Sequence, residues 1–95
     1  MRQLFVYILK CSDDTFYTGV TNNIDRRLDE HNSGRSPGSY TYTRRPVKLM
    51  YHAGFTDFYA AIAKEKQIKR WSNAKKQALI DGRFDDLVNL AKKRF

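Results

Sequence analysis

The sequence predicts a small α+β domain, with strands that carry the core and helices that cover them. Three observations predict it. Residues 4–9 form a continuous apolar run with β-branched and aromatic side chains, as a strand covered on both faces requires. Turn chemistry at Ser12-Asp13-Asp14 separates it from a second such run at 16–20, the layout of a hairpin. Helical periodicity then recurs in stretches that open on capping residues and close at or near glycine.

Taken in order, the hairpin comes first. Asp13 and Asp14 read as solvated turn formers rather than metal ligands. Gly19, inside a strand pattern, marks either a bulge or a close backbone approach. Thr21-Asn22-Asn23 supplies capping side chains for a helix that runs to about Asn32 and ends at Ser33-Gly34, with Asp25 placed where the helix dipole favours a carboxylate. On it Ile24 and Leu28 define the buried stripe, with His31 between them and Arg27 at the edge. Arg27 and His31 stand four residues apart, so both can project toward one spot. Arg26, Asp29 and Glu30 read as solvated surface.

Residues 35–46 read as a loop in which Tyr40 and Tyr42 interleave with Arg35, Arg44 and Arg45. Rings that stack on bases beside guanidinium groups that hold phosphates suit a nucleic-acid groove. A flexible loop whose tyrosines pack on the domain edge fits equally well. Residues 47–51 alternate as a third strand, with Val47, Leu49 and Tyr51 on one face and His52 closing it. Asp57 then caps a helix to about Trp71, and Ser72 caps a shorter one through Ile80, ended by Gly82. Phe84-Asp85 opens a last helix with Leu87, Val88, Leu90 and Ala91 inward and Lys92-Lys93-Arg94 at its C-terminal end.

Ninety-five residues make one domain, just large enough to bury a core without disulfide or metal staples. The motif-bearing part spans about 5–80, and 81–95 form a helical extension. Cys11 is the single cysteine, so it forms neither an internal disulfide nor a paired-cysteine zinc site. That fits a reducing cytosol, and a cytoplasmic location is expected. The longest apolar run is six residues, too short to span a membrane, and it lacks the small-residue cleavage site of a signal peptide. The net charge of +8 favours a polyanionic partner, because lysine and arginine that neutralise phosphates release condensed counterions. It says nothing about cleavage.

The most telling anomaly is Glu65. Phe58, Ala61 and Ile62 set the apolar face of its helix, and Glu65 falls between Phe58 and Ala61 on the wheel. A carboxylate in a core-facing stripe is costly unless a cation, hydrogen bonds or a solvated cleft accompanies it. Lys64, Lys66, Lys69 and Arg70 surround it with positive charge. Two roles stay open on this ground alone, a structural ion pair (Arg27 being one partner) and a functional acid.

Val6-Tyr7-Ile8 in the first strand and Tyr17-Thr18-Gly19 in the second, with Arg27 ten residues past the second tyrosine, then His31 and Glu65, resemble the GIY-YIG nuclease domain. The likeness covers most of the chain and is greatest to the small stand-alone bacterial proteins of that superfamily. It implies an α/β sandwich, a three-stranded antiparallel sheet flanked by helices. It also implies metal-dependent hydrolysis of phosphodiester bonds, in DNA rather than RNA, by Tyr7, Tyr17, Arg27, His31 and Glu65. Noncatalytic binding of DNA or RNA, or docking in a repair assembly, are the alternatives. In the implied mechanism Glu65 holds one magnesium or manganese ion, Arg27 relieves phosphoryl charge, Tyr17 is the base acting on water, and Tyr7 assists positioning. Arg35, Tyr40, Tyr42, Arg44, Arg45, Lys69 and Arg70 then contact nucleic acid. A monomer is compatible with this, and the oligomeric state stays open.

Chemistry sets a condition on the base. An ordinary phenol of pKa about 10 is roughly 0.1% ionised at neutral pH, a handicap of about 4 kcal/mol. Cations must lower that pKa, or deprotonation must accompany attack. Two positions depart from the family pattern. Val20 stands where many members carry a basic residue, and Asn73 is the nearest counterpart of an asparagine that follows the glutamate in many members.

Overall fold

A computed structural model of the chain describes residues 3–85 and Leu87. Strand β1 (Leu4–Lys10) and strand β2 (Phe16–Thr21) form the expected antiparallel hairpin, and β3 (Lys48–Phe55) pairs antiparallel with the other side of β1. The sheet order is therefore β2-β1-β3, with the most apolar strand in the centre. In the hairpin connection Cys11 N–H donates to the Thr15 carbonyl at 2.8 Å and Asp14 takes a left-handed φ of 67°. Asp13 accepts from the Thr15 hydroxyl and amide, as a turn former does, and Cys11 is buried with its thiol pKa raised chiefly by burial.

Strand alternation sends the side chains to two layers. Val6 and Ile8 pack with Ala61 and Ile68, and with Trp71, Leu79 and Ile80, beneath helices α2 (Phe58–Lys69) and α3 (Asn73–Ile80). Tyr7 and Leu9 pack on the other face with Cys11 and Val47, under Ile24 and Leu28 of helix α1 (Ile24–Ser33). The helix ends follow the local chemistry of the sequence. Asn23, Asp57 and Ser72 accept backbone N–H groups at the three N-termini. Gly34 closes α1 at φ 73°, and its missing Cβ leaves room for the Arg45 guanidinium.

Four expectations need correction. β3 does not close at His52 but runs on to Phe55, because pairing with β1 as far as Leu4 satisfies its backbone. Val47, Leu49 and Tyr51 do not share a face. Ile8 pairs with Tyr51 and Leu9 with Leu49, so Met50 is an extra residue, and the bulge turns Tyr51 toward α2 while Val47 and Leu49 stay with α1. Helix α2 stops at Lys69, short of Trp71, with Arg70 as its cap. Its buried stripe is Ala61, Glu65 and Ile68, whereas Phe58, in the first turn, is 58% exposed. The C-terminal helix expected beyond Phe84 falls largely outside the described residues.

Residues 35–46 are not unstructured. They contain a short 3-10 helix (Tyr42–Arg44) that is tied down on its C-terminal side. Arg44 reaches Asp13 in the hairpin turn at 3.0 Å, and the Asn32 side chain at the end of α1 brackets Val47 with two hydrogen bonds of 2.8 and 3.1 Å. This clamp holds the segment across the open end of the α1 layer.

Candidate active site

Tyr7 points from the central strand into the α1 layer and is only 2% exposed. Beneath it Leu9, Ile24, Leu28 and Leu49 pack so closely that no space remains for a water. Its hydroxyl lies 3.1 Å from His31 Nε2. The Arg27 guanidinium lies beside the same oxygen and also donates from Nε to Glu30 Oε1 at 3.0 Å. Tyr17, on the next strand and the same face, meets the His31 ring edge-on at 5.2 Å between centroids. Tyr17, Arg27 and His31, with Glu30, Gly34, Ser36 and Ser39, line a cleft of about 310 Å³. Four of the five residues singled out for chemistry therefore meet on the α1 face of the sheet.

Electrostatics divides their roles. Burial first, then the neighbouring Tyr17 phenol, pushes the Tyr7 pKa up to about 12, against the pull of Arg27. Burial, and then the Arg27 charge, hold the His31 pKa below its usual value and favour the neutral imidazole. Burial works against the charge on Arg27, yet contacts with Tyr7 and Glu30 outweigh it and raise its pKa.

Glu65 approaches from the opposite helical layer. It is 8% exposed, and its partner is not Arg27 but Lys69, one helical turn on, at 2.7 Å. Its charge still acts on Tyr7, and the Lys69 ammonium, whose pKa the Glu65 hydrogen bond raises, also feels Tyr17. Lys69 thus supplies a cation near the second tyrosine, while Val20 packs against the core beneath α2.

Around the cleft, Tyr40 is 41% exposed and stacks on Tyr17, with centroids 6.1 Å apart and planes 23° off parallel. The Arg44 guanidinium lies over the Tyr40 ring, 3.9 Å from its centroid. Arg45 covers Tyr42 and donates to the Tyr42 and Asn32 carbonyls, so its guanidinium is engaged within the fold. Arg35 and Arg70 are exposed. Three contacts escaped sequence reasoning. Glu30, assigned there to the solvated surface, is half-buried and orients Arg27. Lys69 is the ion-pair partner of Glu65. Thr41, 1% exposed, meets His31 Nδ1 at 2.8 Å. Only the i,i+3 and i,i+4 spacings of the first two left a trace in the sequence.

The profile of the GIY-YIG catalytic domain matches residues 3–78. This chain belongs to the GIY-YIG family. It is 49% identical over 80 residues to a UPF0213 protein of Syntrophus aciditrophicus, a match that covers 84% of this chain and 92% of that protein. With the UPF0213 protein SH2523 of Staphylococcus haemolyticus it shares 41% identity over 83 residues, 87% of this chain and all of the relative. Two solution structures share the fold. The UPF0213 protein BH0048 from Bacillus halodurans has a TM-score of 0.55 at 37% identity, covering 83% of each chain. EF2693 from E. faecalis has a TM-score of 0.60 at 33% identity, covering 88% of this chain and 90% of its own.

Within this GIY-YIG framework Gly19, the last residue of the second motif, does not mark a bulge, since the hairpin pairs without interruption across it. It permits a close approach instead. A Cβ there would stand 2.5 Å from the Tyr7 hydroxyl oxygen. Gly19→Ala is therefore expected to push the Tyr7 ring off His31 and to cost about 1–3 kcal/mol in overpacking. Chemical denaturation reads the second effect and the His31 ring resonances read the first; unchanged resonances would show that the contact is not tight.

Proposed function

We propose that this GIY-YIG chain hydrolyses phosphodiester bonds in nucleic acid with a divalent metal ion, and acts on DNA in preference to RNA. The observation that supports it most strongly is the meeting of Tyr17, Arg27 and His31 on the wall of one cleft, with the Tyr7 hydroxyl buried behind them. Arg27 suits the phosphoryl oxygens. Its charge is permanent, and Glu30 occupies Nε while leaving terminal N–H groups for a substrate. Tyr17 lines the cleft where a water can reach it, so it serves as the base. Tyr7 is enclosed and keeps its proton, so it orients the site through His31.

Glu65 fits one hard divalent cation. It offers carboxylate oxygens, and its partner Lys69 is half-exposed and can turn to solvent. No group of three His, Cys, Asp or Glu gathers among the described residues, so water and substrate oxygens would complete the shell, as magnesium accepts. Bound there, the ion would neutralise developing charge on the phosphoryl group. Exposed Arg35, Arg70 and Lys69 would contact phosphates, and the exposed part of the Tyr40 ring would meet nucleic acid beside Tyr17. Tyr42, Arg44 and Arg45 would shape the rim and its positive field.

The test is cleavage of labelled single-stranded, duplex, flap and branched substrates with magnesium or manganese, with Glu65→Gln as the control for contaminating nuclease. Metal-dependent nicking by the natural chain alone is the expected result. Salt-sensitive binding with no nicking of any substrate would leave a noncatalytic binding module. Binding itself is expected to weaken about tenfold or more between 50 and 200 mM salt, since a handful of phosphate contacts releases that many counterions. Fluorescence anisotropy measures it; salt-independent affinity would remove the electrostatic interface.

A further inference from the structure

Ser39, Thr41, His31 and Tyr7 form a continuous chain of polar contacts that runs from the 35–46 segment to the central strand. Ser39 Oγ lies 3.3 Å from Thr41 Oγ1, Thr41 Oγ1 2.8 Å from His31 Nδ1, and His31 Nε2 3.1 Å from the Tyr7 hydroxyl. Thr41 is 1% exposed, so water cannot replace it there. Its own position is fixed by the turn around it. Arg44 N–H donates to the Thr41 carbonyl at 3.0 Å, Ser12 N–H donates to the Arg44 carbonyl at 2.9 Å, and Arg45 holds the Tyr42 carbonyl at 2.8 Å.

A neutral imidazole has one N–H to give and one nitrogen that accepts, and its two neighbours decide which is which. The Tyr7 oxygen already faces the Arg27 guanidinium, which can only donate. If His31 Nε2 also carried a proton, the Tyr7 oxygen would face a donor on both sides and its own hydrogen would lack this acceptor. The satisfied arrangement sends the Tyr7 hydrogen to Nε2 and the Nδ1 hydrogen to Thr41.

We propose that Thr41 is a positioning residue that holds the His31 ring as its Nδ1–H tautomer, leaving Nε2 aimed at Tyr7 as a proton acceptor. Thr41 acts through His31 and touches no substrate. It makes the geometry of the cleft depend on a segment that sits a full loop away from the strand motifs. The consequence for rate rests on the hydrolase proposed above, whereas the tautomer does not.

The ring nitrogens of 15N-labelled protein distinguish the two tautomers by NMR, and a His52→Gln variant assigns the signals, since the chain has two histidines. Wild type is expected to show a protonated Nδ1 and a bare Nε2 at His31. Thr41→Val keeps the shape but removes the acceptor, and should give a mixture of tautomers with cleavage reduced about 10- to 100-fold, the scale of a misplaced catalytic group. Thr41→Ser keeps the hydroxyl and should restore the single tautomer and most of the rate. A proton on Nε2 in wild type, or an unchanged tautomer in Thr41→Val, overturns the assignment. Should Thr41→Val fail to fold, the wild-type tautomer and its retention in Thr41→Ser still decide. A chain that shows the Nδ1–H tautomer but cuts nothing would keep the positioning role and sink the hydrolase.

Discussion

Glu65→Gln is expected to abolish metal-dependent cleavage and to leave the chain folded. Glutamine has the shape of glutamate, so the stripe formed by Ala61, position 65 and Ile68 keeps its packing against the sheet. What is lost is the charge. Breaking a buried ion pair is costly when the surviving charge stays buried, but the survivor here is Lys69, whose side chain is 51% exposed and reaches water. Stability should therefore change by less than about 1 kcal/mol, with a slight rise the favoured sign, because a carboxylate in an apolar stripe costs desolvation. Denaturation midpoints and cleavage at limiting magnesium measure the two effects together. Normal cutting by the variant would remove Glu65 as a metal ligand. Unfolding would make the Glu65–Lys69 pair a structural one.

Tyr17→Phe should lower the cleavage rate on the order of 10²–10⁴-fold, the usual range for losing a general base. The ring contacts that place Tyr17, with His31 at 5.2 Å and with Tyr40 at 6.1 Å, belong to carbon atoms that phenylalanine retains. Stability should thus hold, and nucleic-acid affinity should stay within a few-fold. Arg27→Ala differs by design. It removes a phosphate contact and also frees Glu30 and the Tyr7 oxygen, so binding and rate should fall together. The decisive comparison is with Tyr7→Phe. If both phenylalanine variants cut at the natural rate, the phenols are not in the chemistry, and the base is His31 or a metal-bound hydroxide. Loss in Tyr17→Phe with intact folding and binding is the outcome the geometry of the cleft predicts.

Much of the fold was legible because its signals are local. The turn at Ser12-Asp13-Asp14, the caps Asn23, Asp57 and Ser72, and the stop at Gly34 each act within a few residues of where they stand, so composition and spacing suffice to place them. The bulge at Met50 was not legible. An extra residue in a strand leaves the alternation of Val47, Leu49 and Tyr51 intact on paper, and only pairing with Ile8 and Leu9 shows that Tyr51 has changed face. Phe58 misled for a related reason. A helical wheel finds apolar residues, but only the tertiary packing decides which of them is covered, and it covers Ala61 and leaves Phe58 exposed.

By itself the sequence determined which candidate residues the chain carries and the order in which it presents them: Tyr7, Tyr17, Arg27, His31 and Glu65, on two strands and two helices. The tertiary structure alone decided who touches whom. It gave Glu65 to Lys69 rather than Arg27, turned Glu30 inward onto Arg27, and seated Thr41 on His31. The physical reason is that a buried polar group must find a partner wherever folding brings one within about 3 Å. Tyr7 and His31 are 24 positions apart in the chain, and His31 and Thr41 are 10 apart, separations at which no periodicity survives.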